Sequence, residues 1–320
     1  MTTQTQSAKL RRRDALGVHS LNRFAFSVPD IAAAERFYSA FGLDVRRDGD
    51  RIELRTHGND HCWGIVHANG APKRLQYLSF SAYDDDIDAL SRRIDARGAC
   101  EAHPLSDGRG IWIRDPDGTP VQLVAGPKVT PSQKASPATP APVAVGTGAA
   151  PSRKTAKPVR PRRLSHVLLF TPDVARQVAF YSETFGLRLS DRSGDIIAFM
   201  HGPHASDHHL LAFAKSTAPG LHHSSWDVGS LDDVGLGAEM MKDKGYTQGW
   251  GVGRHVLGSN YFYYVRDPWG SWAEYSYDID FVGADVDWAA SDHPPEDSFY
   301  IWGPTVPDDF VINHEQPLPA

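Results

Sequence analysis

Cysteine is scarce in this chain, and long apolar runs are missing. Cys62 and Cys100 are the only cysteines among 320 residues, too few for a disulfide framework, and they predict a reducing, cytoplasmic environment. No apolar run approaches the roughly 20 residues that span a bilayer. Residues 1–20 are polar and basic and lack the apolar core of a secretion signal. Neither membrane insertion nor export is therefore expected.

Residues 127–163 contain no acidic and no aromatic side chain. The same segment holds eight Lys and Arg residues among many Pro, Ala, Ser, Thr and Gly residues, although the whole chain has a formal charge of -6. A basic segment can serve as a nucleic-acid-binding arm, but this one has no aromatic rings on which bases could stack. Its composition favours a solvated linker, and no nucleic-acid partner is expected.

The linker separates two segments of similar sequence. The motif FYSAFGL at residues 37–43 returns as FYSETFGL at 180–187, and RDPDG at 114–118 returns as RDPWG at 266–270. Shared motifs in the same order indicate an internal duplication. The predicted segments are an N-terminal basic extension (1–20), a first repeat (21–126), the linker (127–163), a second repeat (164–282) and a C-terminal tail (283–320).

Each repeat has the pattern of a strand, a helix and further strands, twice over. Asp30 and Asp173 occupy helix N-cap positions after apolar, strand-like runs. Helices are predicted, in order, over residues 31–41, 86–97, 174–185 and 232–244. The predicted fold class is α+β, with two tandem domains, each a pair of βαβββ modules.

When the repeats are aligned, three potential metal ligands occur in the second repeat and none in the first. The aligned pairs are Arg23 and His166, Tyr77 and His223, and Gln122 and Glu274. Two imidazoles and one carboxylate form the facial triad that binds Fe(II) and leaves positions open for a substrate and oxygen. This pattern predicts a metal site in the second repeat and a structural role for the first.

The turn before Glu274 predicts which side chain lies opposite it. The tetrapeptide DPWG at 267–270 has the residues of a type I turn closed by a left-handed glycine, which gives a three-residue loop with Asp267 paired to Ser271. Counting outward along both strands then places Tyr264 opposite Glu274 on the same face. A two-residue loop would place them on opposite faces.

Each candidate also has an ordinary structural interpretation. A single histidine at the start of a strand, such as His166, is more often a core or surface residue than a ligand, and Glu274 alone would more often face solvent. His222 and His223 could form a surface pair, and strand alternation allows only one of them to point inward. The remaining histidines are interpreted as surface or loop residues: His19, His57, His61, His67, His201, His204, His293 and His314.

The sequence resembles the type I extradiol dioxygenases of the vicinal oxygen chelate superfamily, which cleave catechols and dihydroxybiphenyls. The resemblance covers about residues 17–126 and 162–282, and its specific part lies in the second repeat. LSH at 164–166, LHH at 221–223 and WAEY at 272–275 match the three metal-ligand motifs of that family. The second histidine of the pair is the family's ligand, which favours His223 over His222.

The resemblance implies a metal, a reaction and partners. Fe(II) is expected at His166, His223 and Glu274, and Mn(II) is an alternative because these ligands do not discriminate sharply between the two metals. The implied substrates are a small aromatic diol and O2. Both oxygen atoms of O2 enter the product, and the ring opens beside, rather than between, the two hydroxyls. Assembly as a homo-oligomer is expected, with a subunit number that the sequence does not reveal.

Three further residues are implied to be catalytic. DHHL at 207–210 matches the segment that carries a catalytic histidine, so His209 is expected to stabilise charge on oxygen and to act as acid and base. The spacing of His255, Tyr264 and Glu274 also matches the family. His255 and Tyr264 are expected to hydrogen-bond the substrate oxygens and to help deliver a proton.

The sequence departs from the family beside this site. Leu257 and Gly258 stand where many members have an Asn-Asp pair near the substrate, and Asn260 is nearby but out of register. The substrate preference of the biphenyl-type enzymes is therefore not carried over. The tail resembles a branch that contains metapyrocatechase II and trihydroxytoluene oxygenases, and it could cover the pocket mouth or form a subunit contact.

Two other functions use the same scaffold. A glyoxalase-type lyase or isomerase draws its ligands from two halves, often with two glutamates, whereas the first repeat has Gln122 in the glutamate position. A non-enzymatic protein that binds a small molecule needs no metal triad. The triad in the second repeat argues against both.

Overall fold

The computed structural model describes residues 11–139 and 142–315. Residues 1–10 of the predicted N-terminal extension, 140–141 of the linker and 316–320 of the tail lie outside the described residues.

The first repeat consists of two βαβββ modules, as predicted. The first module contains β1 (Ser20–Val28), α1 (Ile31–Ala40), β2 (Asp44–Asp48), β3 (Arg51–Thr56) and β4 (Asn59–Ala68). The second module contains β5 (Arg74–Ala82), α2 (Asp84–Asp95), β6 (Ala99–Cys100), β7 (Ile111–Arg114) and β8 (Pro120–Ala125).

The second repeat has the same order, with one short additional strand. Its first module contains β9 (Arg163–Thr171), α3 (Val174–Phe185), β10 (Arg188–Ser193), β11 (Ile197–His201), β12 (Ser206–Asp207) and β13 (Leu211–Lys215). Its second module contains β14 (Gly220–Asp227), α4 (Leu231–Asp243), β15 (Gly249–His255), β16 (Tyr261–Arg266) and β17 (Trp272–Tyr277). The tail adds β18 (Phe281–Val282), β19 (Ser291–Asp292), a 3-10 turn (Pro295–Asp297) and β20 (Tyr300–Trp302).

Each repeat folds into one mixed sheet. The first sheet has the order β2-β3-β4-β1-β5-β8-β7-β6, and the second has the order β19-β10-β11-β13-β9-β14-β17-β16-β15-β20, while β12 pairs separately with β18. In each sheet the first strands of the two modules are neighbours at the centre. In the second sheet, the five consecutive strands from β9 to β15 carry five of the six candidate site residues, and His209 lies in the loop before β13.

The helix ends agree with the predicted caps. The Asp30 carboxylate accepts hydrogen bonds from the N–H groups of Ala32 (2.8 Å) and Ala33 (3.1 Å), which α1 would otherwise leave unpaired. Asp173 caps α3 in the same way. Helix α3 ends at Gly186, whose φ of 73° is in the left-handed region that a C-terminal glycine favours. Helices α2 and α4 begin and end slightly earlier than predicted.

Strand pairing confirms the alignment of the two repeats. Gln122 lies opposite Ser79 on β5, and Glu274 lies opposite Ser225 on β14. The two serines are equivalent in the duplicated pattern, so Gln122 occupies the position of Glu274. The internal duplication inferred from the sequence is therefore also present in the three-dimensional structure.

A β-bulge occurs at the same place in both repeats. On β5 the pairing with β1 shifts at Gln76, and on β14 the pairing with β9 shifts at His222. A bulge inserts one residue without a partner and breaks the alternation of side chains. The prediction that only one of His222 and His223 points inward is therefore wrong, since both are buried and line the same cavity.

The two repeats share one hydrophobic core. The rings of Phe41 and Tyr275 stack with centroids 3.9 Å apart, and the Tyr275 hydroxyl donates to the Phe41 carbonyl at 2.9 Å. The Tyr181 hydroxyl similarly donates to Asp115 of the first repeat at 3.2 Å. Because these contacts join the two repeats, each repeat helps to stabilise the other.

The described part of segment 127–163 contains no helix or strand before Arg163, where β9 begins. Several of its cations contact the second repeat: Arg162 lies 2.7 Å from Asp227, and Arg163 forms a buried pair with Asp207. The segment therefore lies against the second repeat over part of its length. Among the described residues, no helix is both long and apolar enough to span a bilayer.

Four histidines outside the candidate site are buried. His67 and His201 lie in strands β4 and β11, so their interpretation as surface or loop residues is wrong. His19 and His204 lie in loops, as allowed, but are also buried. His201 is accommodated because its Nδ1 hydrogen-bonds the Ser190 hydroxyl at 2.8 Å, a partner that sequence alone does not reveal.

Candidate metal centre

Three side chains from three neighbouring strands converge at the centre of the second sheet. The Nε2 atoms of His166 on β9 and His223 on β14 lie 3.3 Å apart. The Oε2 atom of Glu274 on β17 lies 3.4 Å from the first and 3.6 Å from the second. All three residues are buried. Because the strands are hydrogen-bonded neighbours, the sheet itself sets these distances.

This triangle fits a divalent metal ion. Ligand atoms at right angles around a metal at about 2.1 Å lie roughly 3.0 Å apart, close to the separations here. Glu274 Oε2 has no hydrogen-bond partner although it is buried, which is costly for a carboxylate oxygen unless a cation neutralises it. Among the described residues this is the one group of three or more ligand-type side chains close enough to share an ion.

Two of the predicted ligands, His166 and Glu274, are held by residues behind them. His166 Nδ1 lies 3.2 Å from the Ser165 hydroxyl, which donates to Asp207 at 3.1 Å, and Asp207 pairs with Arg163. The Glu274 Oε1 atom accepts a hydrogen bond from the Asn260 amide at 3.0 Å. Partners of this kind orient metal ligands and fix histidine tautomers.

Asn260 was not predicted as a site residue. Its amide also donates to the Ser276 hydroxyl at 3.0 Å, so it bridges two residues of β17. Asn260 directly precedes β16, and only the folded hairpin shows that its side chain reaches across to Glu274. The sequence placed it near the pocket rim but gave no signal for this contact.

Tyr264 lies directly opposite Glu274, which confirms the prediction from the turn. The N–H of Asp267 donates to the Ser271 carbonyl at 2.8 Å, and Gly270 has a φ of 99°. The loop therefore contains three residues, and the face of the sheet follows from that count.

The electrostatics favour the forms that bind metal. Burial alone would raise the pKa of Glu274, but its close contact with the imidazole of His166 outweighs burial, so the pKa is lowered. Burial, assisted by the neighbouring imidazoles of His222 and His166, lowers the pKa of His223 well below its ordinary value. A deprotonated carboxylate and a neutral imidazole are the forms that coordinate a metal.

The three predicted catalytic residues surround this triangle. The His209 ring lies 4.0 Å from that of His166, measured between centroids. The Tyr264 hydroxyl lies 2.9 Å from His255 Nε2, and His255 Nδ1 donates to the Phe299 carbonyl at 2.9 Å. Since the carbonyl can only accept, neutral His255 has an unprotonated Nε2 that accepts from the tyrosine.

Burial shifts the acidity of all three groups. It lowers the pKa of His209 well below its usual value, with a further lowering by His166, and it also lowers the pKa of His255. Burial and the nearby Glu274 raise the pKa of Tyr264 well above its usual value. The two histidines are therefore neutral and the tyrosine is protonated at neutral pH. In these forms the histidines can accept a proton and the tyrosine can donate one.

His208 and Asp191 were not predicted as site residues. His208 Nδ1 lies 3.0 Å from His209 Nδ1, and His208 Nε2 lies 2.8 Å from Asp191 Oδ2. The adjacent histidine in the DHHL motif was the available sequence signal, whereas Asp191 comes from β10 and has none.

A cavity of about 270 Å³ opens in front of the triangle. All six predicted site residues line it, together with Leu257, and the tail contributes a further group: Pro295, Ser298, Phe299, Phe310 and Val311. Of the two roles considered for the tail, the structure shows it forming part of the pocket wall.

The equivalent positions in the first repeat form no such site. The Gln122 amide donates to Asp107 at 3.1 Å and to the Arg109 carbonyl at 2.9 Å. The Tyr77 ring packs on Trp112, with centroids 5.3 Å apart, in a small apolar cluster. Gln122 and Tyr77 are thus engaged by other side chains and by backbone, and, within the part of the chain that the structure describes, neither takes part in a cluster of ligand-type groups like that of the second repeat.

Comparison with known proteins agrees with the predicted fold and family. The family model of the Glyoxalase/Bleomycin resistance protein/Dioxygenase superfamily matches residues 20–123 and 163–275. The chain therefore belongs to this superfamily, and within it the resemblance to the extradiol ring-cleaving dioxygenases is confirmed.

Two curated relatives and one solved structure illustrate the relationship. The chain is 51% identical to metapyrocatechase 2 of Cupriavidus necator, over 98% of this chain and 97% of the relative. It is 26% identical to biphenyl-2,3-diol 1,2-dioxygenase of Paraburkholderia xenovorans, over 90% and 95% of the two chains. The Mn(II)-bound glyoxalase from Novosphingobium aromaticivorans superposes with a TM-score of 0.74 at 26% identity, covering 94% of this chain and 96% of that one.

Proposed function

We propose that the chain cleaves the ring of a catechol-type diol beside its two hydroxyls, with His166, His223 and Glu274 holding Fe(II). The main support is the cluster of buried side-chain atoms from His166, His223 and Glu274. These atoms face a cavity that His209 and Tyr264 also line. The 51% identity to a metapyrocatechase supports the same reaction.

Fe(II) is the proposed metal, and Mn(II) fits the same donor set. Two imidazoles and one carboxylate are borderline and hard donors, and they do not discriminate strongly between these ions. The manganese in the Novosphingobium structure supports the wider assignment to a divalent metal. When bound, the metal would increase the acidity of the diol hydroxyls and supply adjacent positions for diol and O2.

The surrounding residues move protons in this proposal. His255 Nε2, which faces the Tyr264 hydroxyl at 2.9 Å, accepts the proton released as the diol binds. His209 lies on the other side of the triangle, beside His166, and acts as the acid and base that assists attack of oxygen on the ring. Both atoms of O2 enter the product, one in the aldehyde and one in the carboxylate, so no external reductant is needed.

The cavity walls favour an uncharged diol. Phe299, Phe310 and Leu257 give the ring an apolar surface and exclude water. Among the described residues that line the cavity, the one permanent cation is Lys215, which pairs with Asp195 at 3.0 Å. A substrate carboxylate would therefore enter an apolar pocket without a free cationic partner, which is unfavourable.

Further proposals concern the organisation of the chain. The boundaries 1–20, 21–126, 127–163, 164–282 and 283–320 are proposed as the functional segments, with the first repeat structural and the second catalytic. A cytoplasmic location is proposed because Cys62 and Cys100 are both free thiols. Assembly as a homo-oligomer is supported by exposed apolar side chains on the tail, including Ile301 and Val311, and light scattering would test it.

Oxygen uptake tests the function directly. Protein reconstituted anaerobically with Fe(II) is mixed with catechol, dihydroxybiphenyl, trihydroxytoluene and a carboxylated catechol. Uptake matched by a yellow ring-opened product is expected for the uncharged diols, with a much lower kcat/KM for the carboxylated one. One metal per chain without oxygen uptake would overturn the dioxygenase proposal.

The glyoxalase-type alternative is kept because a structure described as a glyoxalase superposes well. Such a reaction would draw ligands from both repeats, but Gln122 is an amide engaged by Asp107. Isomerase activity on a hemithioacetal, measured in the same metal-loaded protein, would distinguish this alternative.

A further inference from the structure

Two adjacent histidines on β14 form a hydrogen-bonded chain that ends in the C-terminal tail. The Nδ1 atoms of His223 and His222 lie 2.7 Å apart. On its other side, His222 Nε2 lies 2.9 Å from the backbone carbonyl of Phe310. Both imidazoles are buried, so water does not compete for these contacts.

The carbonyl fixes where the protons lie along this chain. A carbonyl oxygen can only accept, so His222 Nε2 carries a hydrogen and donates it to Phe310. A neutral imidazole has one N–H, which leaves His222 Nδ1 as an acceptor. His223 Nδ1 must then be the donor, and His223 Nε2 presents its lone pair towards His166 and Glu274.

Packing holds the His222 ring in this orientation. Its centroid lies 4.9 Å from that of Phe170 on β9 and 4.9 Å from that of Phe310 in the tail. The bulge on β14 is what brings two consecutive side chains to the same cavity. Without the bulge, His222 would point to the opposite face of the sheet.

We propose that His222 is a positioning residue for the metal centre: it accepts the Nδ1 hydrogen of His223 and is itself anchored by the tail carbonyl of Phe310. The inference rests on the proposed function, because it takes His223 as a metal ligand. A hydrogen bond of this kind fixes the tautomer and ring orientation of a ligand and raises its basicity.

Gln76 supplies a matched control. It occupies the equivalent bulge on β5 of the first repeat, where its amide donates to the Ser27 hydroxyl at 2.9 Å. A change at Gln76 disturbs the same local geometry without any ligand beside it. Gln76→Leu should therefore leave metal binding unchanged.

Metal affinity tests the proposal. Competition with a fluorescent chelator gives the dissociation constant for Mn(II) in the unchanged chain and in four variants. His222→Phe keeps the ring without an acceptor, and His222→Gln places its amide near Nε2, so both should bind Mn(II) about 10–100-fold more weakly. His222→Asn places an oxygen near Nδ1 and should stay within a few-fold. Equal affinity in all variants would overturn the proposal.

A spectroscopic measurement separates positioning from a general loss of stability. In Co(II)-loaded protein, the Nδ1–H of a ligand histidine gives a paramagnetically shifted proton signal. For His223 this proton should exchange slowly with water in the unchanged chain and in Gln76→Leu, and quickly in His222→Gln. Slow exchange in His222→Gln would contradict the hydrogen bond.

The two proposals fail in different ways. If the unchanged chain binds no divalent metal, the proposed metal centre fails and the role of His222 fails with it. If the chain binds metal and His222→Gln weakens it, but no diol is cleaved, the positioning role stands and only the reaction is wrong.

Discussion

The Nδ1 atoms of His208 and His209 lie 3.0 Å apart, and this contact connects the cavity to the buried carboxylate of Asp191 on β10. Asp191 accepts a hydrogen bond from His208 Nε2, and His208 contacts His209 through its Nδ1 atom. Residues reaching from β10 thus hold the ring of His209, the predicted catalytic histidine, in place.

His209→Ala is expected to keep the metal and lose most of the rate. No ligand atom is removed, whereas general acid and base assistance contributes typically 10²–10⁴-fold. Metal content by mass spectrometry and kcat by oxygen uptake would be measured together. Loss of metal in this variant, or a rate within a few-fold of the original, would contradict the assigned role.

His223→Ala is expected to abolish metal retention and turnover together. It leaves His166 and Glu274 as an incomplete pair at the bottom of the cavity. Tyr77→Phe and Gln122→Ala are the controls, because they change the equivalent positions of the first repeat and should keep one metal per chain. Retained metal with full activity in His223→Ala would refute the ligand assignment.

Asn260→Leu should weaken metal binding about 10–100-fold, as other losses of a partner behind a ligand do. Leucine has nearly the same shape, but the Glu274 Oε1 atom loses its donor at 3.0 Å. Chelator competition would measure the change. Asn260→Asp should be worse than Asn260→Leu, since it places a second carboxylate against the first.

Tyr264→Phe should lower kcat while leaving metal affinity within a few-fold. The variant keeps the ring, which stacks on Trp250 with centroids 5.5 Å apart, and removes only the hydroxyl that donates to His255. A solvent isotope effect on kcat should also decrease, because one proton donor is lost. Equal kcat in both proteins would exclude proton delivery by this hydroxyl.

Acid should destabilise the metal-free protein through buried histidines that are not among the predicted metal ligands. Burial lowers the pKa of His19 to about 4 and that of His201 to about 3, whereas an unfolded histidine titrates near 6.5. Between these values the unfolded chain binds protons that the folded chain does not, so the free energy of unfolding falls as pH falls below about 6.5. At pH 5, each of these histidines lowers the free energy of unfolding by on the order of 1–2 kcal/mol relative to neutral pH.

Urea unfolding at pH 7.5 and pH 5.0 measures this dependence. The double variant His19→Asn, His201→Asn should lose less stability between the two pH values than the unchanged chain does. An identical loss in both proteins would show that these histidines do not remain neutral when folded.

The three proposed metal ligands could be predicted from the sequence because the first repeat provides an internal reference with which the second repeat can be compared. His166 and Glu274 stand out only beside Arg23 and Gln122, and strand pairing later confirmed that the positions are equivalent. The position of Tyr264 was predicted because a turn of known length fixes the face of a hairpin. Local rules were sufficient wherever the site lies on regular strands.

The residues that were not predicted lie where strand alternation and turn geometry do not determine the position of a side chain. His222 was misplaced because one unpaired residue on β14 breaks the alternation on which the prediction depended. Asn260 and Asp191 act through contacts between segments that are distant in sequence or irregular in structure. The tail wall at Phe299 and Phe310 follows from packing of the whole chain, which no short motif encodes.

The three central strands β9, β14 and β17 are hydrogen-bonded neighbours, so the sheet fixes the separations of the three predicted ligands. Ligand separations set by the sheet are the same for iron and manganese, so the proposed site would not select between the two ions by changing its shape. The metal content of the purified protein should therefore follow the supply of divalent ions during expression. A culture enriched in manganese would yield folded protein that holds manganese.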